Sequence, residues 1–156
     1  ALDGNDVSLH AYPASDPRHK AAEVAHRKLP SGTPTWNGAV GQAQLDWLIK
    51  SLNEAKRAGE RVILFCHFPV YPENVHNLWN AAEVLAVARE NRSVVAYMNG
   101  HNHAGNYGRL AKRQTVAAAA TGRIGRCALG VSWPAYSFRS RFGSLSLAAF
   151  WESALT

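Results

Sequence analysis

The sequence predicts an α/β fold, and three observations carry that prediction. The apolar run Arg61-Val62-Ile63-Leu64-Phe65-Cys66 has the length of a buried strand and ends on His67. A second run, Ser93-Val94-Val95-Ala96-Tyr97-Met98, ends at Asn99-Gly100 and is followed by His101-Asn102-His103. Segments with helical spacing precede each run. Helices alternating with apolar strands are the pattern of a sheet covered on its faces.

Taken in chain order, Asp3-Gly4-Asn5-Asp6 is turn chemistry, and Val7-Ser8-Leu9-His10-Ala11-Tyr12 alternates apolar and polar residues as a strand does, ending at Pro13. Residues 16–29 have helical spacing through Ala21, Ala22, Ala25 and Leu29, with Asp16 as N-cap and Pro17 in the first helical position. Residues 30–34 form a Pro/Gly-rich loop. Residues 41–58 give the clearest helix: Leu45, Leu48, Ile49 and Leu52 form one face, Trp47 lies beside it, and Gly59 is the stop. The strand over 61–66, a helix over 79–90 and the strand over 93–98 follow. No internal repeat is present.

Composition bounds the function. A chain of 156 residues is long enough for one domain with its own core. It contains no stretch of about 18 apolar residues, so no membrane span is expected. The first residues, Ala1-Leu2-Asp3-Gly4, lack both an initiator Met and a signal-peptide pattern and read like the interior of a longer sequence. Cys66 and Cys127 form no CxxC pair, and a reducing cytoplasm is the expected location.

The net charge of +6 is unevenly spread: residues 1–110 carry 11 Lys+Arg against 10 Asp+Glu, and residues 111–156 carry 6 Lys+Arg against Glu152 alone. The basic residues of this tail are scattered, so nucleic acid is not the expected partner. Residues 1–110 therefore read as one domain portion and 111–156 as an atypical tail. The tail holds 10 Ala, 6 Ser and 5 Arg and no His, Asn or Asp, which is what a GC-rich gene yields when read out of frame. A domain extension or a basic tail is the other reading. Residues 144–151 could form an apolar strand or helix.

The chemistry lies at the strand ends. Loops at the carboxyl ends of strands form the ligand crevice of an open α/β sheet. Neutral imidazole ligates manganese, iron or zinc through one nitrogen while the other is oriented by an acceptor. A lone strand histidine is usually structural, but His67, His101 and His103 end two strands and are read as metal ligands. His101 and His103 stand two residues apart, so their side chains can diverge toward two adjacent ions better than converge on one. Two ions of that kind stabilise attacking and leaving oxygens in phosphoryl transfer, and a bridging carboxylate must then come from elsewhere. His10, His19 and His26 read as surface or packing residues. His76, in the loop after His67, is a candidate for substrate contact, although a solvated loop residue is the plainer reading. Cys66 is discounted as a nucleophile, since neighbours on a strand face opposite ways.

The motif Gly100-His101-Asn102-His103 and the earlier Cys66-His67-Phe68-Pro69, in this order and 34 residues apart, resemble the calcineurin-like metallophosphoesterase superfamily. Five stretches narrow the resemblance to the manganese-dependent ADP-ribose/CDP-alcohol diphosphatase branch. They are Leu2-Asp3-Gly4-Asn5-Asp6-Val7-Ser8, the run from Trp36-Asn37-Gly38 to Asp46-Trp47-Leu48, His67-Phe68-Pro69-Val70-Tyr71-Pro72, Leu78-Trp79-Asn80, and Gly100 to Gly105.

The resemblance runs to about Arg109. It implies part of a four-layer α/β/β/α sandwich, a cofactor of two divalent metals (manganese, with iron or zinc as alternatives), and metal-assisted hydrolysis of a small nucleoside-diphosphate-linked substrate. It also implies that His67 and His101 ligate one metal and His103 the other, and that Trp79 and Asn80 lie near substrate. Asn37, Gly38 and Gln44 look like structural features. The family's Asp-x-His, Gly-Asp and Gly-Asn-His motifs should precede residue 1, and Asp3 and Asp6 do not replace them. The chain is thus expected to be the C-terminal portion of such an enzyme, with the N-terminal half of the sandwich missing, and inactive alone. Phosphomonoester or cyclic-nucleotide hydrolysis within the superfamily is the alternative, and a non-catalytic metal- or nucleic-acid-binding module is the alternative outside it.

Overall fold

A computed structural model describes residues 1–105 and 107–109 in full and the backbone of residues 116–119; all of them fall within one compact unit, Ala1–Gly125. Its elements in order are β1 (Val7–Ser8), α1 (Pro17–His26), β2 (Gly38–Ala39), α2 (Gln42–Ala58), β3 (Val62–Phe65), α3 (Ala81–Glu90), β4 (Val94–Asn99), β5 (Tyr107–Arg109) and β6 (Val116–Ala119). β1 and β2 pair antiparallel. The main sheet has the order β3-β4-β6-β5, with β3, β4 and β6 parallel and β5 antiparallel to β6. The fold is therefore the mixed α/β arrangement expected. The sheet also runs past residue 110, since β6 lies in the segment read as an atypical tail. The expectation for residues 144–151 lies outside the described residues.

Local chemistry explains α1 and α2. Asp16 caps α1, its carboxylate accepting from the Arg18 amide at 2.8 Å, with Pro17 next in line. α1 closes at His26, three residues earlier than its spacing suggests, and the chain runs on in tight turns, with Lys28 N bonded to Ala25 O and Leu29 N to His26 O. α2 ends at Gly59, whose φ of 69° is left-handed. Its buried stripe is Leu45, Leu48, Leu52 and Ala55, while Ile49, expected on this face, is 43% exposed. The 3-4-3 spacing of the buried residues centres the stripe away from Ile49. These leucines pack with Leu64 and Cys66 of the β3 segment, Val84 and Ala88 of α3, and Val94 and Tyr97 of β4 in one core.

Two expectations change. The first strand is two residues rather than six, because Ser8 Oγ accepts from the amides of His10 and Ala11 at 3.1 and 3.3 Å and turns the chain. The sheet is also not covered on both faces among the described residues: Ile63 is 39% exposed and Val95, Ala96 and Met98 are only half-buried.

β2 was hidden in Asn37-Gly38, which reads as a turn. A Cβ on Gly38 would collide with the Gly4 carbonyl, and one on Gly4 with the Phe68 ring, so these two glycines let β2, the N-terminal turn and the loop after β3 close on each other. Gln44 locks the same junction. Its Oε1 accepts from Asp3 N at 2.7 Å, and its Nε2 donates to Asp3 O and Asp6 Oδ2 at 3.1 and 3.0 Å. Its role is structural, as expected.

Candidate metal centre

Parallel pairing of β3 and β4 brings the histidines together. The register sets Phe65 opposite Met98, and the ladder continues past both strands: Cys66 N donates to Met98 O, and Gly100 N donates to His67 O, each at 3.0 Å. His67 and His101 thus leave adjacent strand ends side by side. His67 Nε2 lies 3.0 Å from His101 Nδ1.

The turn carrying His101 is strained in a defined way. His101 has φ 63°, left-handed for a residue with a Cβ, and Asn102 N reaches back over it to Gly100 O at 2.7 Å. Asn102 is 5% exposed and secures the exit: its Oδ1 accepts from Ala104 N at 3.1 Å, and its Nδ2 donates to Gly105 O at 3.3 Å. Left-handed backbone at a non-glycine is held only where the surroundings over-determine it, and such residues cluster at functional sites.

Around the pair stand aromatic rings. Phe68 meets His101 edge-on at 4.5 Å between centroids, Trp36 lies 5.5 Å from it, and His76 makes a T-shaped contact at 5.4 Å. Asn37, buried to 2% exposure, places Oδ1 3.1 Å from His101 Nε2. This crowding favours the neutral imidazole. Burial first, then the charges of His67, His76 and His103, lower the His101 pKa to about 4. Partial desolvation and His103 also lower that of His67. Neutral imidazole is the form that ligates metal.

The pair fits a cation. Bonds of about 2.1 Å meeting at a right angle leave ligand atoms about 3.0 Å apart, the spacing of His67 Nε2 and His101 Nδ1. His103 is exposed, near enough for its charge to act on both rings yet outside the ring contacts of His101. Among the described residues, no group of three or more His, Cys, Asp or Glu is poised around one ion.

Trp79 and Asn80 are not brought to the histidine pair. Trp79 Nε1 donates to Pro34 O at 2.9 Å and its ring lies against His26. Asn80 Oδ1 accepts from Val40 N at 3.1 Å, and its Nδ2 donates to Val40 O and Glu83 Oε2 at 2.8 and 3.0 Å. With these bonds made, both side chains anchor the loop entering α3. Conversely, sequence reasoning missed Asn37 and Trp36 as members of the site and undervalued His76. Asn37 and His101 are 64 residues apart in sequence, so no local spacing reveals the contact.

Comparison with known proteins bears on the family. No family model matches the chain. It is 37% identical over 122 residues to the manganese-dependent ADP-ribose/CDP-alcohol diphosphatase of Homo sapiens, an alignment covering 68% of this chain and 36% of that protein. The proteins of the same name from Xenopus tropicalis (31% over 122 residues, 68% and 36%) and Arabidopsis thaliana (32% over 124 residues, 68% and 40%) align similarly.

The chain is a homologue of these diphosphatases.

It spans about two-fifths or less of the length of these relatives. A dimetal phosphatase from Danio rerio superposes with a TM-score of 0.67 at 23% identity, over 76% of this chain and 44% of that one, so the two share a fold. The resemblance drawn from the Gly-His-Asn-His and Cys-His motifs is thereby upheld, as is the partial metallophosphoesterase α/β fold. No helix among the described residues is long and apolar enough to cross a membrane.

Proposed function

We propose that this chain forms part of a metal-dependent hydrolase that cleaves a phosphoanhydride in a small nucleoside-diphosphate-linked substrate of the ADP-ribose or CDP-alcohol type. The observation that carries the reading is the 3.0 Å spacing of His67 Nε2 and His101 Nδ1 at adjacent parallel strand ends, in a chain homologous to manganese-dependent diphosphatases. His67 and His101 would hold one divalent ion and His103 a second, with manganese the expected metal. Bound ions would supply an activated water and neutralise phosphoryl charge.

The protein's own contribution is positional. The β3–β4 register fixes the two rings, Phe68 packs against both and Trp36 against His101, and Trp79 and Asn80 hold the loop that would border the substrate. With only part of a ligand set among the described residues, the 156-residue chain alone is expected to turn over no substrate. The buried free thiol of Cys66 suits a reducing compartment such as the cytoplasm.

The test is manganese-dependent hydrolysis of ADP-ribose and of a CDP-alcohol, followed by phosphorus NMR. It would compare the 156-residue chain with the product of the complete reading frame that encodes it. Release of AMP or CMP by that product, abolished in His101→Ala, is the expected result. Hydrolysis confined to a phosphomonoester or a cyclic nucleotide would move the substrate class. Turnover by the short chain would contradict the partial-site reading.

A further inference from the structure

We propose that Asn37 sets the tautomer of His101 and so makes Nδ1 its metal-facing nitrogen. The proposal rests on the ligand reading above, and its steps follow from donor and acceptor capacity. The Val75 carbonyl can only accept, and Asn37 Nδ2 donates to it at 2.8 Å. This fixes the amide, because a flipped Asn37 would set its oxygen against the Val75 oxygen. Oδ1 therefore faces His101 Nε2, at 3.1 Å. An amide oxygen also only accepts, so Nε2 carries the hydrogen. A neutral imidazole carries one N–H, so Nδ1 of His101 is bare.

That bare nitrogen is the one 3.0 Å from His67 Nε2, which therefore donates to it in the metal-free chain. The two histidines are thus unequal. His101 is already in its ligating tautomer, held by an amide that is 2% exposed and screened from competing water. His67 must pass its hydrogen from Nε2 to Nδ1 before it can ligate. Asn37 also joins the site to the loop carrying His76, since its second bond is to the backbone of Val75. The surroundings argue against a purely packing role for Asn37. A packing residue at a buried strand edge would be apolar, whereas both ends of this amide are spent on partners that demand opposite polarity. Acceptors behind ligating histidines are known to matter for metal affinity, by about 10–100-fold.

The test is the imidazole 15N spectrum of the metal-free, 15N-labelled chain at about pH 8, above the ordinary histidine range. Wild type is expected to show His101 as the Nε2–H form alone. Asn37→Leu, matched in shape but without an acceptor, should bring in the Nδ1–H form and weaken manganese binding about 10–100-fold. Asn37→Asp keeps an acceptor toward His101 while losing the donor to Val75, and should retain the Nε2–H form of His101 where Asn37→Leu does not.

A wild-type His101 protonated on Nδ1 would overturn the proposal. So would a folded Asn37→Leu with unchanged tautomer and manganese affinity. If Asn37→Leu fails to fold, the wild-type spectrum and Asn37→Asp decide the matter. If wild type shows the derived tautomer but binds no manganese, the ligand reading fails while the tautomer control by Asn37 stands.

Discussion

At the scale of single residues, His101 combines a left-handed backbone, four aromatic neighbours and a buried amide acceptor in one position. Its lowered pKa has a consequence for stability. The folded chain holds His101 near pKa 4 against an ordinary value of 6.5, so the folded state binds fewer protons in between. The contribution is complete above about pH 6.5 and is lost as pH falls toward about 4, and the lowered pKa of His67 acts in the same direction. The metal-free chain should therefore unfold at lower urea near pH 5 than near pH 7. His101→Gln should show a smaller difference, and equal pH sensitivity in both proteins would contradict the assignment.

At this scale the sequence was legible in part. His67, His101 and His103 stand out because strands end on them. Asn37 and Trp36 do not, because their contacts are made across distant segments, and a buried acceptor has no periodicity. Trp79 and Asn80 carry a family likeness in sequence, yet their polar atoms are spent on Pro34, Val40 and Glu83.

At the scale of elements, helices were read more accurately than short strands. Over 17 residues α2 repeats its apolar stripe often enough to override single exceptions such as Ile49. That exception is testable. Leu48→Ala, at a position 2% exposed, should cost about 2–5 kcal/mol. Ile49→Ala, 43% exposed, should lie within about 0.5 kcal/mol of wild type. Denaturant unfolding of the two variants checks the stripe, and equal losses would place Ile49 in the core. β1 and β2, at two residues each, are too short for any periodic signal, and their pairing is decided by the Gly4–Gly38 approach and the Gln44 bonds. Gly38→Ala should destabilise by about 1–3 kcal/mol, since the new methyl meets backbone that cannot yield. Thermal unfolding measures it, and an unchanged midpoint would remove the glycine contact from the account.

For the whole molecule, the ordering of the sheet is what makes a site. Two parallel strands side by side carry their C-terminal residues to one edge, and the register places His67 and His101 in contact there. That α/β logic was readable from alternating helical and apolar segments. The half-open sheet face and the continuation into β6 were not, since both depend on which strands meet. The central claim is that this edge binds a divalent cation through His67 and His101. The direct measurement is a manganese titration of the 156-residue chain, read from the loss of the free-ion EPR signal, beside His67→Ala and His101→Ala. The account predicts binding by wild type that is lost in both variants while each keeps its fold. Wild type that leaves the free-ion signal untouched, or variants that bind as well as wild type, would contradict it.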